Sequence, residues 1–370
     1  MRTMPVLGSH EMPMPGQIWG IIIALYLFLA GMSAGAYATA YLAQRLYPEA
    51  RKIRWSGYLV APWLVIVGLV LLMVDAEAGF FHPWRFIYLY IGRPTSIMAI
   101  GVYILTVFTP LALYRFVVTL AEIWKEGGEK RWPLGLDRFF SRPPRWLRWL
   151  VEGRPGLDFL GLVMAAATAT YTALLIGNVH AVPLWNTSVL PVLFVTSAFS
   201  TGIAVTLFTA VAWDSRAEAH TLPFLNLGVS LKGLELFLLF CLLYFGWYGD
   251  VAGRAAVAEL MWGRLAPLFW GGLVLFGLVV PLYIELRERK HLLAAHAMRF
   301  APAWAGSAEG ALHSQGTLAP EASPAPPAEG EEGGARFFSA GQLASLLAVA
   351  GGLLLRYLIL EAGYFVHFLQ

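Results

Sequence analysis

Cys241 is the only cysteine in this 370-residue chain. One thiol makes no internal disulfide, and it cannot supply the four thiolates that usually hold an iron–sulfur cluster; Cys241 reads as a small apolar filler. Charge is scarce as well, with only 13% Asp, Glu, Lys and Arg against 58% hydrophobic residues and a mean hydropathy of +0.63. Histidine is missing from the middle of every apolar run: His82, His180 and His367 fall at one end of such runs, His220, His291, His296 and His313 at the other, and His10 precedes them all. A b-type haem held by two facing histidines is therefore not expected. No Cys/His spacing suggests a metal site, no glycine-rich loop follows a strand, and no Ser/His/Asp set is recognisable. A cleavable signal would need a charged start and an apolar run of about 7–15 residues; Met1–Gly16 is polar and proline-bearing and the run after it is longer, so that run is expected to stay as a helix.

What the sequence does have is long apolar stretches. Residues 18–43 carry no charge until Arg45, and about 20 apolar residues cross the ~30 Å hydrocarbon core of a bilayer. Further spans fall near 55–75, 97–123, 157–178, 188–213, 222–246, 267–286 and 341–366. The expected fold is all-α and integral to the membrane, with about eight transmembrane helices. Lys and Arg in short loops stay on the cytoplasmic side. Arg45, Arg51, Lys52 and Arg54 follow the first span, Lys125 to Arg154 the third, Arg216 the fifth, and Arg287, Arg289, Lys290 and Arg299 the seventh. The other side has only Arg2, Arg85, Arg93, Arg254 and Arg264, so both termini are expected to be extracytoplasmic. The basic excess belongs to these loops and anionic lipid, and does not indicate nucleic-acid binding.

The organisation expected is an extracytoplasmic segment (1–17), a first four-helix bundle (18–178), spans five to seven (179–300), a disordered cytoplasmic linker rich in Ala, Pro, Glu and Gly (301–338), and the eighth helix (339–370). The segment 132–150 interleaves Arg with Trp and Phe, as an interfacial anchor does. AGMSAG at 30–35 and SAFSTG at 197–202 echo each other four spans apart. Small residues four apart let backbones approach; packing alone explains them, and a duplication into two four-helix bundles is the alternative.

Polar groups gather at the outer ends of spans one to four. Asp75 and Glu77 end the second, Arg93, Thr95 and Ser96 precede the third, Asn178 and His180 follow the fourth, and Tyr171 lies about two turns, roughly 10 Å, below them. Each taken singly reads as an interfacial residue; together they fit an apolar pocket whose polar edge meets two ligand oxygens. Deeper charges are costlier. Lys232 lies eleven residues, ~16 Å, into the sixth span with Glu235 one turn on, so the two are expected either to form an ion pair between helices or to relay protons. Arg356 and Glu361 lie in the outer half of the eighth span, where snorkelling, or pairing with each other or Asp250, would suffice.

GRPTSIMAIGVYIL at 92–105, PLWNTSVLPVLFVTSAFSTG at 183–202, GGLLLRYLILEAG at 351–363 and the early pattern from Trp19 through LFLAGMSAG resemble the NrfD/PsrC family. These are quinone-interacting membrane subunits of polysulfide-reductase-type respiratory complexes. The resemblance runs from about Trp19 to Gly363 and fails in 124–155 and 301–338. It implies an anchor in the cytoplasmic (inner) membrane, exchanging electrons between a quinone, expected to be menaquinone, and an extracytoplasmic four-cluster-type iron–sulfur subunit that serves a molybdopterin catalytic subunit. It places the quinone near the outer face of the first bundle, with Tyr171 at its floor a dozen residues before Pro183–Asn186. Where relatives show a polar residue and a histidine midway along the first span, Ile23 and Tyr26 stand here. The competing class is a transporter or proton-translocating protein using Lys232 and Glu235. Pro191, Pro267 and Pro281 form no matched pair of broken helices that would favour transport.

Overall fold

A computed structural model describes residues 21–75, 87–91, 94–126, 153–179, 182–214, 220–300 and 339–366. Every regular element among them is helical: α1 (Ile21–Leu46), α2 (Arg51–Asp75), α3 (Ile87–Ile91), α4 (Ile97–Glu126), α5 (Pro155–Gly177), α6 (Val189–Trp213), α7 (Leu222–Tyr248) and α8 (Val251–Trp262). In α9 a π-wound stretch, Leu268–Val279, runs directly into the α-helical Val280–Phe300; α10 is Ala340–Val366. Eight helices are long and apolar enough to cross a membrane: α1, α2, α4, α5, α6, α7, α9 and α10. Helices satisfy their own backbone groups, which lipid cannot do. Hydroxyls in the spans follow the same rule, Thr39 donating to the carbonyl of Gly35 and Thr201 to that of Ser197, each at 2.8 Å. The expected spans stand, with two additions: α9 continues as helix well past the apolar run, and the short α8 lies between the sixth and seventh spans. The N-terminal segment, the 132–150 anchor and the 301–338 linker lie outside the described residues.

The spans pack as two closed rings of four. In one, α1 touches α2 and α5, and α4 closes the ring against the same two; in the other, α6 touches α7 and α10, and α9 closes it. The rings join chiefly where α1 crosses α6. That crossing is made by the two echoed motifs meeting each other. A Cβ on Gly35 would come within 3.0 Å of the Cα of Gly202, and one on Gly202 would fall inside the backbone of Gly35. Close backbone approach is what small residues provide when lipid tails are as apolar as Leu and hydrophobic burial drives nothing. A second such contact brings Gly277 of α9 onto Gly351 of α10.

Candidate functional site

Tyr171 is buried in α5, and its ring occupies the space that the missing side chain of Gly101 leaves on α4. Its hydroxyl takes part in no hydrogen bond among the described residues. Tyr171 lies roughly two turns from the C-terminal end of its helix. Tyr26, also buried, lies in the N-terminal part of α1, where its carbonyl faces Gly68 of α2. The remaining expected pocket residues that are described lie at helix ends. Thr95 is exposed, the hydroxyl of Ser96 accepts from the N–H of Ala99 at 3.1 Å to cap α4, and Asn178 ends α5. Asp75 is the last residue of α2; its side chain, and all of Glu77, Arg93 and His180, lie outside the described residues.

The intramembrane charges differ from the sequence reading. Lys232 does not pair with Glu235. Its Nζ lies 2.8 Å from Oε1 of Glu285 on α9, with the lysine 1% exposed. Glu235 faces the hydroxyls of Ser197 and Ser200 and stands near the charges of both Lys232 and Arg356. A helix can place two residues on one face, but the neighbouring helix decides which of them finds the better partner. Arg356 likewise neither snorkels nor reaches Asp250. It is fully buried, donating to the carbonyl of Gly352 at 2.9 Å, to the Ser197 hydroxyl at 3.3 Å and to the Phe194 carbonyl at 3.4 Å. The rings of Phe28 and Phe194 flank the guanidinium at 5.4 and 5.1 Å. Gly31 of the AGMSAG motif makes the room, since a Cβ there would stand 3.1 Å from Nη2. Asp250 caps α8 by accepting from the N–H of Gly253 at 2.7 Å. Glu361 stays half-buried near Tyr357.

A further cluster was missed in the sequence. Near the basic ends of the first ring, Arg115 and Asp158, each 2% exposed, face each other at 3.4 Å. Gln44 binds both: its Oε1 accepts from Arg115 and from the Tyr58 hydroxyl at 2.8 Å each, while its Nε2 donates to Asp158 at 2.9 Å. The Arg115 guanidinium lies 4.2 Å from the centre of the Tyr58 ring. Four helices are thus tied by one network. The signal was present, because Arg115 and Asp158, like Glu285, are charges inside apolar windows and should be held to the same test as Lys232. Among the described residues, no three His, Cys, Asp or Glu side chains gather as metal ligands.

The profile described as "Polysulphide reductase, NrfD" matches residues 8–301. The protein belongs to the NrfD polysulphide reductase family. It is 32% identical over 279 residues to the C chain of polysulfide reductase from Wolinella succinogenes, an alignment that takes in 73% of its own length and 83% of that relative's. To the NrfD protein of Escherichia coli it is 33% identical over 284 residues, 72% and 84% of the two lengths. The C subunit of selenate reductase from Mesobacillus selenatarsenatis is 23% identical over 304 residues, 74% and 68%. The profile match ends before α10, so Arg356 and the two glycines beside it, at the centre of this NrfD-family fold, lie beyond the matched residues.

Proposed function

We propose that this NrfD-family protein is the membrane anchor of a respiratory oxidoreductase, passing electrons between a quinone and an extracytoplasmic iron–sulfur subunit that serves a molybdopterin catalytic subunit. The observation that carries this reading is the unpartnered hydroxyl of the largely buried Tyr171, toward the outer end of the first ring, in a member of this family. The quinone, menaquinone by expectation, supplies the two-electron, two-proton chemistry. Tyr171 donates a hydrogen bond to one ring oxygen and fixes the ring's depth. Tyr26 is part of the apolar wall. Asp75 and Glu77, at the outer end of α2, take or give protons at the aqueous edge, and Arg93, Thr95, Ser96, Asn178 and His180 frame the opening. With one cysteine, the protein needs a partner for any cluster. The basic loops orient both termini outward in the cytoplasmic membrane.

Replacing Tyr171 with Phe removes the hydroxyl and keeps the ring. A lost hydrogen bond is worth about 0.5–1.5 kcal/mol net, so quinol turnover should fall roughly two- to tenfold while the complex still assembles. Unchanged turnover and quinone affinity would remove Tyr171 from the site. Purification under mild conditions should bring an iron–sulfur chromophore with the protein, and stoichiometric haem in the isolated subunit would contradict the assignment.

A second reading, ion translocation through the second ring, is favoured by the buried Lys232–Glu285 pair and by Glu235 and Arg356 beyond it. Proton uptake measured in vesicles during quinone turnover tests it. Loss of uptake in Lys232→Met with turnover intact would support it, and unchanged uptake would dismiss it.

A further inference from the structure

The buried charges of the second ring balance: Lys232 and Arg356 stand against Glu235 and Glu285. Their hydrogen bonds do not balance. Glu285 gives Oε1 to Lys232, but its Oε2, equally out of reach of solvent, has no partner, and the residue is only 5% exposed. A buried acceptor left unsatisfied costs about 1–3 kcal/mol, more when charged, and calls for an explanation. The explanation lies in the space next to it. A cavity of about 220 Å³ opens between α6, α7, α9 and α10 at their basic ends, and Glu285 forms part of its wall. That is room for several molecules the size of water, at about 30 Å³ each.

Its chemistry selects by sign. On α9, three titratable groups descend turn by turn from exposed to buried: His291, then Glu288, then Glu285. Thr221, Gln342 and Ser345 add neutral oxygens, and among the described residues no Lys or Arg lines the wall. Glu288 is held in place at the start of α10, where a Cβ on Gly341 would stand 2.6 Å from its Oε1. Two carboxylates repel an anion. A divalent metal would want three strong ligands together, and among the described residues none gather.

We propose that this cavity binds a monovalent cation, a proton or Na⁺, at Oε2 of Glu285, and that its binding moves Lys232 from Glu285 to Glu235. A cation on Glu285 cancels the charge that holds the ammonium. Glu235, one turn further along α7 and buried at 2% exposure, is the second carboxylate on the same helix face. The cluster then gains one positive charge on loading and loses it on release, with Lys232 returning to Glu285. Arg356 stays with Ser197 and the carbonyls of Gly352 and Phe194 in either position. The site deepens the translocation reading and does not depend on the quinone pocket.

The test uses the full-length protein in lipid nanodiscs with dicyclohexylcarbodiimide, which forms an adduct with a protonated carboxyl in an apolar setting, mapped by peptide mass spectrometry. Glu285 should be labelled, with labelling rising about tenfold for each unit of pH lowered across its titration. Slower labelling in NaCl than in choline chloride would identify Na⁺ as a ligand, and equal labelling would leave the proton alone. Absence of a Glu285 adduct at every pH overturns the site. Thermal unfolding then tests the movement. Glu285→Gln should unfold close to the parent, because Lys232 passes to Glu235, whereas Glu285→Gln combined with Glu235→Gln should lose more than the two single losses added. Additive losses would overturn the movement. Neither assay needs transport, so failure of the vesicle experiment and failure of this site are separable.

Discussion

The two rings each bury an ion pair near their basic ends, and they treat it in opposite ways. In the first, Asp158 meets two residues, Oδ1 lying 3.4 Å from the Arg115 guanidinium without a hydrogen bond and Oδ2 accepting from Gln44, and Gln44 in turn holds Tyr58. In the second, one oxygen of Glu285 is matched to Lys232 and the other is buried without a partner, in a residue that also lines a cavity. Arg and Lys suit these roles differently. A planar guanidinium fixes several partners at once, while an ammonium on a flexible stem can change partner. The first cluster is built as a lock joining four helices, and the second as a contact with an alternative. A buried charge thus carries no single meaning; the count of its partners separates fastening from exchange.

The largest effect should come from breaking the lock. Asp158→Ala leaves the Arg115 guanidinium buried and without its counter-charge, which costs about 3–5 kcal/mol; the expected result is loss of folded protein, read as yield in mild detergent and unfolding temperature. A variant as stable as the parent would show that the first cluster is not a fastening. Next is the shared crossing. Gly202→Ala puts a Cβ into the backbone of Gly35, and overpacking of this kind costs about 1–3 kcal/mol. Both rings should loosen together, seen as faster proteolysis in each half, whereas loosening of one half alone would show that the rings do not depend on each other.

Lys232→Met should strand Glu285 and lower the unfolding temperature, though by less than Asp158→Ala because the cavity gives the carboxylate room to take a proton. Lys232→Met with Glu285→Leu should recover most of that loss, since replacing both members of a buried pair by apolar groups is often neutral. No recovery would mean that the pair's neighbours, not the pair itself, were damaged. The smallest effect belongs at the surface. Arg51 pairs with Glu126 at the basic face, both well exposed, and such pairs are worth about 0–1 kcal/mol. Arg51→Ala should leave unfolding and turnover unchanged, and a large loss there would point to a role beyond the pair.

Much of the architecture was legible because a bilayer imposes length and polarity on every span, and a window of apolar residues reports both. The eight spans and the AGMSAG and SAFSTG motifs could all be read along the sequence. Partners could not. Lys232 and Glu235 are one turn apart, which makes them look like a pair, yet Glu285 lies 53 residues away and wins. Arg115 and Asp158 escape notice because each is a lone charge in an apolar run until α4 and α5 place them face to face. Arg356 looks close enough to an end to snorkel, and only the meeting of α1, α6 and α10 shows it at the centre.

The sequence by itself determined that the protein is a bundle of eight membrane-crossing helices of the NrfD kind, with its basic residues gathered in alternate loops and a single cysteine. Those properties are local: hydrophobic length, loop charge and ligand count are sums over consecutive residues. Only the tertiary structure decided that the echoed motifs pack against each other, that Asp158 meets both Arg115 and Gln44, and that Glu285 pairs with Lys232 beside a cavity. Each of those depends on which helices become neighbours, and in lipid that choice rests on close backbone packing and buried polar contacts between residues far apart in the sequence.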